Sequence, residues 1–304
     1  MSLSSRLVHS VLGNWGRRTV IGVPYLFLIA LFTIPFLVVI KLSVSESDGI
    51  RFADLTSYSE GVFTLRLKLS NYVFLVTDDL YVSTYLSSIK FAAINTFFCL
   101  LIGYPFAYFM ARSPASMRPA LLMLVSLPFW TSFLLRVYAW RGLLDDSGVI
   151  NNVLIWVGLI DTPIKMMHTP FSMTIGMVYT YLPFMILPLY ATLVKMDLRL
   201  LEAAKDLGAG PLKAFWLVTV PLSKNGIVAG SMLVFIPSVG EYVIPELLGG
   251  PSTLMIGRVL WDEFFANNDW AMAASVAVTM VALILIPLAI FNKYQTTNAT
   301  GGRH

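Results

Sequence analysis

The chain has 304 residues, of which 57% are apolar and only 12% charged, and its mean hydropathy is +0.75. Soluble domains are about 45–50% apolar and about a quarter charged, so the composition excludes a soluble enzyme and indicates an integral membrane protein. A net charge of +4 is too small and too scattered for a nucleic-acid surface, and the single Cys99 excludes an internal disulfide and argues against a structural metal site.

Residues 1–18 are polar and basic, with Arg6, Arg17 and Arg18. The apolar run Thr19–Ile40 that follows is long enough to cross about 30 Å of hydrocarbon at a rise of about 1.5 Å per residue. A cleaved signal peptide would carry a shorter apolar core and a small-x-small site, which Val38-Val39-Ile40-Lys41 does not supply. It reads as a first transmembrane helix. Glu46–Ser83 is a long polar segment holding Glu46, Asp48, Asp54, Glu60, Asp78 and Asp79. Apolar runs then recur at Ile89–Ala111, Ala120–Trp140, Phe171–Val194, Gly226–Leu248 and Trp270–Phe291, which makes six spans. The connectors are 112–119, 141–170, 195–225 and 249–269. Within 141–170, Val149–Leu159 suits either a short helix at the outer interface, with Trp156 at headgroup level, or a buried loop. The tail Gln295–His304 reads as disordered.

Lysine and arginine in short loops orient a membrane protein. With both termini inside, the inner segments hold 12 of the 21 basic residues and, of the 17 acidic ones, only Asp197, Glu202 and Asp206. The expected order is therefore an inner segment 1–18, a six-helix domain 19–292 with an inner loop 195–225, and an inner tail 293–304.

Several residues within the spans could carry function. Prolines 24, 35, 105, 128, 183, 188, 237, 245 and 287 each remove a backbone hydrogen bond and kink a helix, as hinges or as static packing features. Glu241, between Pro237 and Pro245, is an intramembrane carboxylate. Such a group faces the interior or a watery cavity, and here it serves either a cation path or as a partner for Arg136 on the third span. Trp130, Tyr138 and Trp140 share that third span with Arg136, and aromatic faces attract desolvated cations by roughly 0.5–2 kcal/mol. Tyr138 and Trp140 also suit an interfacial belt, which leaves Trp130 the better path residue. Asn95, Thr131, Tyr181 and Ser238 offer polar contacts, either to a solute or between helices. The outer acidic residues Asp145, Asp146, Asp161, Glu246, Asp262, Glu263 and Asp269 fit solvated loops, a docking protein or attraction of cations.

The loop 195–225 has its own grammar. Asp197 can cap a helix over Leu198–Leu207, Gly208 can take the left-handed conformation that ends it, and Pro211 suits the first position of a second helix. Glu202-Ala203-Ala204, three residues, Gly208, nine residues and Val218-Thr219-Val220-Pro221 resemble the EAA loop of type I ABC importer permeases. Val replaces the usual Ile and Leu of that pattern and keeps its chemistry. In that family the loop docks into a cleft of a cytoplasmic ATPase. The resemblance implies coupling roles for Glu202 as polar contact or brace, Ala203 and Ala204 as close-approach surface, Gly208 as turn, and Pro221.

The resemblance runs across nearly the whole chain and is greatest to the polyamine branch, its putrescine-type subunit above all. It is carried by Leu127–Trp140, by Asp206-Leu207-Gly208-Ala209, and by Ser238-Val239-Gly240-Glu241-Tyr242-Val243-Ile244-Pro245-Glu246-Leu247-Leu248-Gly249-Gly250-Pro251. Spermidine-type subunits share much of this pattern. The resemblance implies a bacterial inner-membrane subunit paired with a second, related permease, two ATPase subunits and a periplasmic polyamine-binding protein, with membrane lipid around it, no nucleic acid and no cofactor. It implies no chemistry of the chain's own. No Gly-Lys dipeptide occurs, so a Walker A motif is absent. His9, His168 and His304 are too few for a membrane-embedded hydrolase, and a lone secondary transporter would leave the EAA pattern unexplained.

Overall fold

A computed structural model of the chain describes residues 19–45, 47–48, 51–52, 56–59, 62–65 and 68–300. The basic segment 1–18, together with Glu46, Asp54, Glu60, Arg303 and His304, lies outside the described residues. Two units emerge, the first made of residues 1–75 and 263–279, the second of 76–262 and 280–304.

In the first unit, Thr19–Ser43 (α1) is the expected first span, and residues 19–35 are exposed along its whole circumference. A helix apolar all round is stable when its solvent is lipid, because every backbone polar group is satisfied within the helix. It contains a π-helical turn at Ile29–Thr33, two residues before Pro35. The proline ring clashes with the carbonyl four residues back, here Leu31, and the wider turn absorbs that clash. The helix end is tied down by Tyr72, whose hydroxyl donates to Ser43 Oγ at 2.6 Å, and by Ser275, whose hydroxyl donates to the Ser43 carbonyl at 3.0 Å. Two short antiparallel hairpins follow. Ser47–Asp48 (β1) pairs with Arg51–Phe52 (β2), and Thr56–Ser59 (β3) with Val62–Leu65 (β4), with Tyr58 opposite Phe63. Both hairpins lie in the polar segment, for which no element was expected. Its β-branched and aromatic residues suit strands, while the apolar spans remain helical.

Helix Ser70–Thr77 (α2) leads from the first unit into the second, where the 34-residue helix Asp79–Arg112 (α3) begins ten residues before the expected Ile89. Asp78 caps it by accepting from Leu80 N–H at 2.9 Å, and the hydroxyl-bearing Tyr81, Thr84, Tyr85 and Ser88 fill its buried face. Those polar residues conceal the start of the helix from an apolarity count. Helix Pro170–Leu193 (α7) starts at a Thr169/Ser172 capping box. Helix Lys224–Val239 (α10) packs against both α3 and α7. At Gly230 the approach to α7 is so close that an added Cβ would lie 2.8 Å from Met185 Sδ and 3.1 Å from the Met185 carbonyl. Small residues at such crossings let helix backbones approach closely in a membrane. Cys99, Met173, Met177, Met185, Leu189 and Val234 are fully buried in this three-helix core.

Two expected spans are not straight. Arg118–Ser126 (α4) passes through a 3₁₀ turn, Leu127–Trp130, into Phe133–Leu144 (α5), and the segments Arg118–Trp130 and Phe133–Trp156 meet at 88°. Pro128 in the 3₁₀ turn and the extended backbone of Thr131 make the corner. The fifth run also breaks. Helix α10 ends at Val239, and Val243–Leu248 (α11) starts afresh after Gly240. Among the described residues, four helices are long and apolar enough to cross a membrane, or six if each bent pair is one span. Of the two alternatives for Val149–Leu159 the short helix is the one observed, over Val149–Trp156 (α6), and Ile256–Trp261 (α12) follows α11 in the chain. The last helix, Trp270–Thr300 (α13), runs six residues into the tail that was expected to be disordered.

Candidate functional site

The loop 195–225 folds as its residues dictate. Asp197 Oδ1 accepts from Arg199 N–H at 3.0 Å, and the helix Arg199–Asp206 (α8) follows. Gly208 adopts φ +80°, its N–H donates to the Lys205 carbonyl at 2.8 Å, and Ala209 N–H donates to the Ala204 carbonyl at 2.9 Å. Those two bonds are the Schellman pattern, which satisfies carbonyls that a helix end would otherwise leave open. Pro211 is the first residue of the second helix, Pro211–Leu222 (α9). A π turn at Phe215–Thr219 again precedes a proline by two residues, here Pro221.

The faces of α8 divide the labour. Leu198, Leu201, Glu202 and Lys205 line a cleft against the end of α3. Leu200, Ala203 and Leu207 are exposed, Leu207 to 89%, and Leu212 on α9 is 72% exposed. Ala204 is half-buried. The Glu202 carboxylate has neither hydrogen bond nor ion pair among the described residues and is free for an outside partner. Behind this exposed tip the loop is anchored. The Phe215 ring meets Tyr104 and Tyr108 of α3 edge-on at 5.4 and 6.0 Å between centroids, and Tyr104 shares a 2.7 Å hydrogen bond with Ser223. Leu207 and Leu212 escaped the sequence reading, although a leucine on each side of a turn glycine in a charged loop was a usable signal.

Within the spans, Glu241 occupies the break between α10 and α11. Its Oε1 accepts from the N–H groups of Tyr242 at 3.2 Å and Val243 at 3.1 Å, with Ile244 at 3.5 Å. Its Oε2 accepts from the Tyr181 hydroxyl of α7. A carboxylate offers about four lone-pair positions, so Oε2 keeps room for one further donor. Asn95 of α3 donates to Ser238 Oγ of α10 at 2.7 Å, with Cys99 Sγ 3.6 Å from Asn95 Oδ1. The structure thus joins Asn95 to Ser238 and Tyr181 to Glu241. It does not join Arg136 to Glu241. The Arg136 Nε and Nη1 are buried without a hydrogen-bond partner, and its guanidinium carbon lies 6.0 Å from the Phe133 centroid. Trp130 is 86% exposed and Tyr138 52% exposed on the chain's own surface.

Of the acidic residues expected on the outer side, Glu246 pairs with Arg258 at 2.7 Å, beside the stacked rings of Tyr242 and Trp261 at 4.5 Å. Asp145 Oδ1 accepts from the Ser147 hydroxyl and N–H at 2.8 and 3.0 Å, bonds that hold its carboxyl below the ordinary carboxylate range. Among the described residues no three side chains converge as metal ligands would.

Comparison with known proteins places this geometry among relatives. Residues 100–296 match the family described as binding-protein-dependent transport system inner membrane component. The chain is 40% identical over 273 residues to the spermidine/putrescine transport system permease protein PotB of Escherichia coli strain K12, covering 90% of this chain and 94% of that one. It is 37% identical over 285 residues to the PotB of Haemophilus influenzae, covering 94% and 95%. Its fold is shared with a chain of a bacterial ABC transporter that imports the acidic polysaccharide alginate, at TM-score 0.68 and 16% identity, covering 96% of this chain and 99% of that chain.

Proposed function

The chain belongs to the family of binding-protein-dependent transport system inner membrane components, and from that premise we propose that it is the permease subunit of an ATP-driven polyamine importer that favours putrescine. It is a multi-pass inner-membrane protein and a transport component, with no covalent step of its own. The observation that carries the reading is the tip of the loop 195–225, an exposed apolar surface held on a rigid Schellman turn and anchored to α3 by aromatic contacts. In the proposed arrangement both termini and this loop lie inside, where two ATPase subunits reach Leu207, Gly208 and Ala203, and Glu202 braces the loop from its cleft face. Closure of the ATPase dimer on ATP displaces α8 and the turn. The Phe215 and Tyr104 contacts pass that displacement to α3, and the close-packed α7 and α10 move with it as one body.

The solute path runs between this chain and a second, related permease. Exposed Trp130 and Tyr138 are therefore available to line it, and Arg136 sets a positive limit near it. Glu241, held in place by Tyr181 and three backbone N–H groups, offers its remaining lone pair to one ammonium group of a diamine delivered by a periplasmic binding protein. The names of the relatives support polyamine cargo. Radiolabelled putrescine and spermidine uptake in a strain lacking only this gene tests the reading. Loss of putrescine uptake with a smaller loss for spermidine is expected. Unchanged uptake of both would overturn the polyamine assignment, and a larger loss for spermidine would transfer the preference.

A further inference from the structure

The cleft between α8 and the end of α3 contains an unresolved polar imbalance. Its volume is about 380 Å³, against roughly 30 Å³ for one water in the liquid. Tyr108 and Arg112 line it from α3, Leu198, Leu201, Glu202 and Lys205 from α8, and Phe215 and Thr219 from α9. Thr219 is fully buried and its hydroxyl has no hydrogen-bond partner; Arg112 Nη2 is likewise buried and unpaired. Native structures rarely leave such groups unmet, because an unsatisfied buried donor keeps the whole of its desolvation cost. The Arg112 guanidinium stacks over Tyr108, with its carbon 5.1 Å from the ring centroid, which holds it in the cleft wall.

We propose that this cleft seats a phosphoryl oxyanion carrying a tethered ammonium group, the chemistry of a phosphoethanolamine headgroup from the surrounding bilayer. A guanidinium fork matches a tetrahedral oxyanion, and a hydroxyl and an ammonium beside it complete the donor set. Arg112 is the last residue of its helix, at the margin of an apolar span, where headgroups lie. Lys205 and Arg112 together exceed Glu202 by one positive charge. A simple dianion would be repelled by Glu202, whereas a zwitterion sets its phosphate against Arg112, Lys205 and Thr219 and its ammonium against Glu202. The bound headgroup then braces α8 against α3 without involving the exposed tip.

Native mass spectrometry of the whole purified transporter, reconstituted in nanodiscs of phosphatidylethanolamine or phosphatidylglycerol, tests the seat independently of the transported solute. One retained phosphatidylethanolamine per copy of this chain is expected, with occupancy about tenfold lower in Arg112→Gln, as for loss of a charged hydrogen bond. Thr219→Val and Arg112→Lys preserve volume and charge respectively, so weaker retention in both, in complexes that still assemble, supports the seat without appeal to misfolding. Glu202→Gln should reverse the preference in favour of phosphatidylglycerol. Displacement of the lipid by millimolar inorganic phosphate would keep the oxyanion chemistry and assign it to a free anion. Equal retention by wild type and Arg112→Gln, with no phosphate binding, would overturn the proposal.

Discussion

Gly208 and Glu241 illustrate how much a single position decides. At Gly208 the backbone is left-handed, and an added Cβ would meet no heavy atom within 4 Å. The cost of Gly208→Ala to the isolated fold is therefore conformational alone, about 1–2 kcal/mol. Asn and Asp tolerate this conformation and differ from one another only in charge. Gly208→Asn should therefore assemble, and Gly208→Asp should assemble yet hydrolyse ATP without uptake, because its charge falls on the docking tip. Paired ATPase and uptake assays on the purified complex check this, and full uptake by Gly208→Asp would count against the tip as the docking surface. At Glu241, Gln keeps an acceptor for the three N–H groups and removes the charge. Glu241→Gln is expected to lower diamine transport about tenfold, the scale of a charge-assisted hydrogen bond, with subunit yield unchanged. A fall in yield without a change in transport per assembled complex would make Glu241 a structural brace. The proposed brace, Arg136, is not its partner here. A sequence pairs opposite charges by sign, whereas the break at Gly240 turns the carboxylate toward Tyr181 and the backbone of α11.

At the scale of elements, local chemistry was readable and global bending was not. The loop 195–225 emerged nearly complete from Asp197, Gly208 and Pro211, since caps, left-handed turns and first-turn prolines are decided within a few residues. The 88° corner between α4 and α5 was hidden, because apolarity continues unbroken through Pro128 and Thr131 and a count of apolar residues carries no direction. The early start of α3 was hidden for the opposite reason, as its first turns bury hydroxyls, of which those of Thr84 and Ser88 donate to carbonyls of the same helix. Both described π turns that precede a proline place the residue whose carbonyl the ring would strike, Leu31 or Leu217, inside the widened turn. The α7–α10 contact gives an element-level prediction. Gly230→Leu would drive a side chain into Met185 and its carbonyl, and overpacking of this kind costs about 1–3 kcal/mol. A lower melting temperature of the purified complex is expected, while Val228→Leu on the same helix, exposed rather than at the crossing, should leave it unchanged.

For the whole molecule, the transport reading requires a route for work from an external motor to the solute path. In the proposed mechanism that route runs through the apolar tip at Leu207 and Leu212, the aromatic anchor at Phe215 and the tight core of α3, α7 and α10. Residues 19–35 of α1, apolar and exposed on every side, suit lipid as their solvent. The family assignment fixes the kind of machine, whereas the side of the membrane that the tip faces decides whether a cytoplasmic ATPase can drive it. Leu207→Cys introduces a thiol at an exposed point of the turn, and the native Cys99 is fully buried and gives no background. A membrane-impermeant maleimide should label Cys at this position in inside-out vesicles and not in intact spheroplasts, with protection when the ATPase is bound. Labelling from the outside of spheroplasts, with none in inside-out vesicles, would contradict the coupling role and leave the loop without a motor.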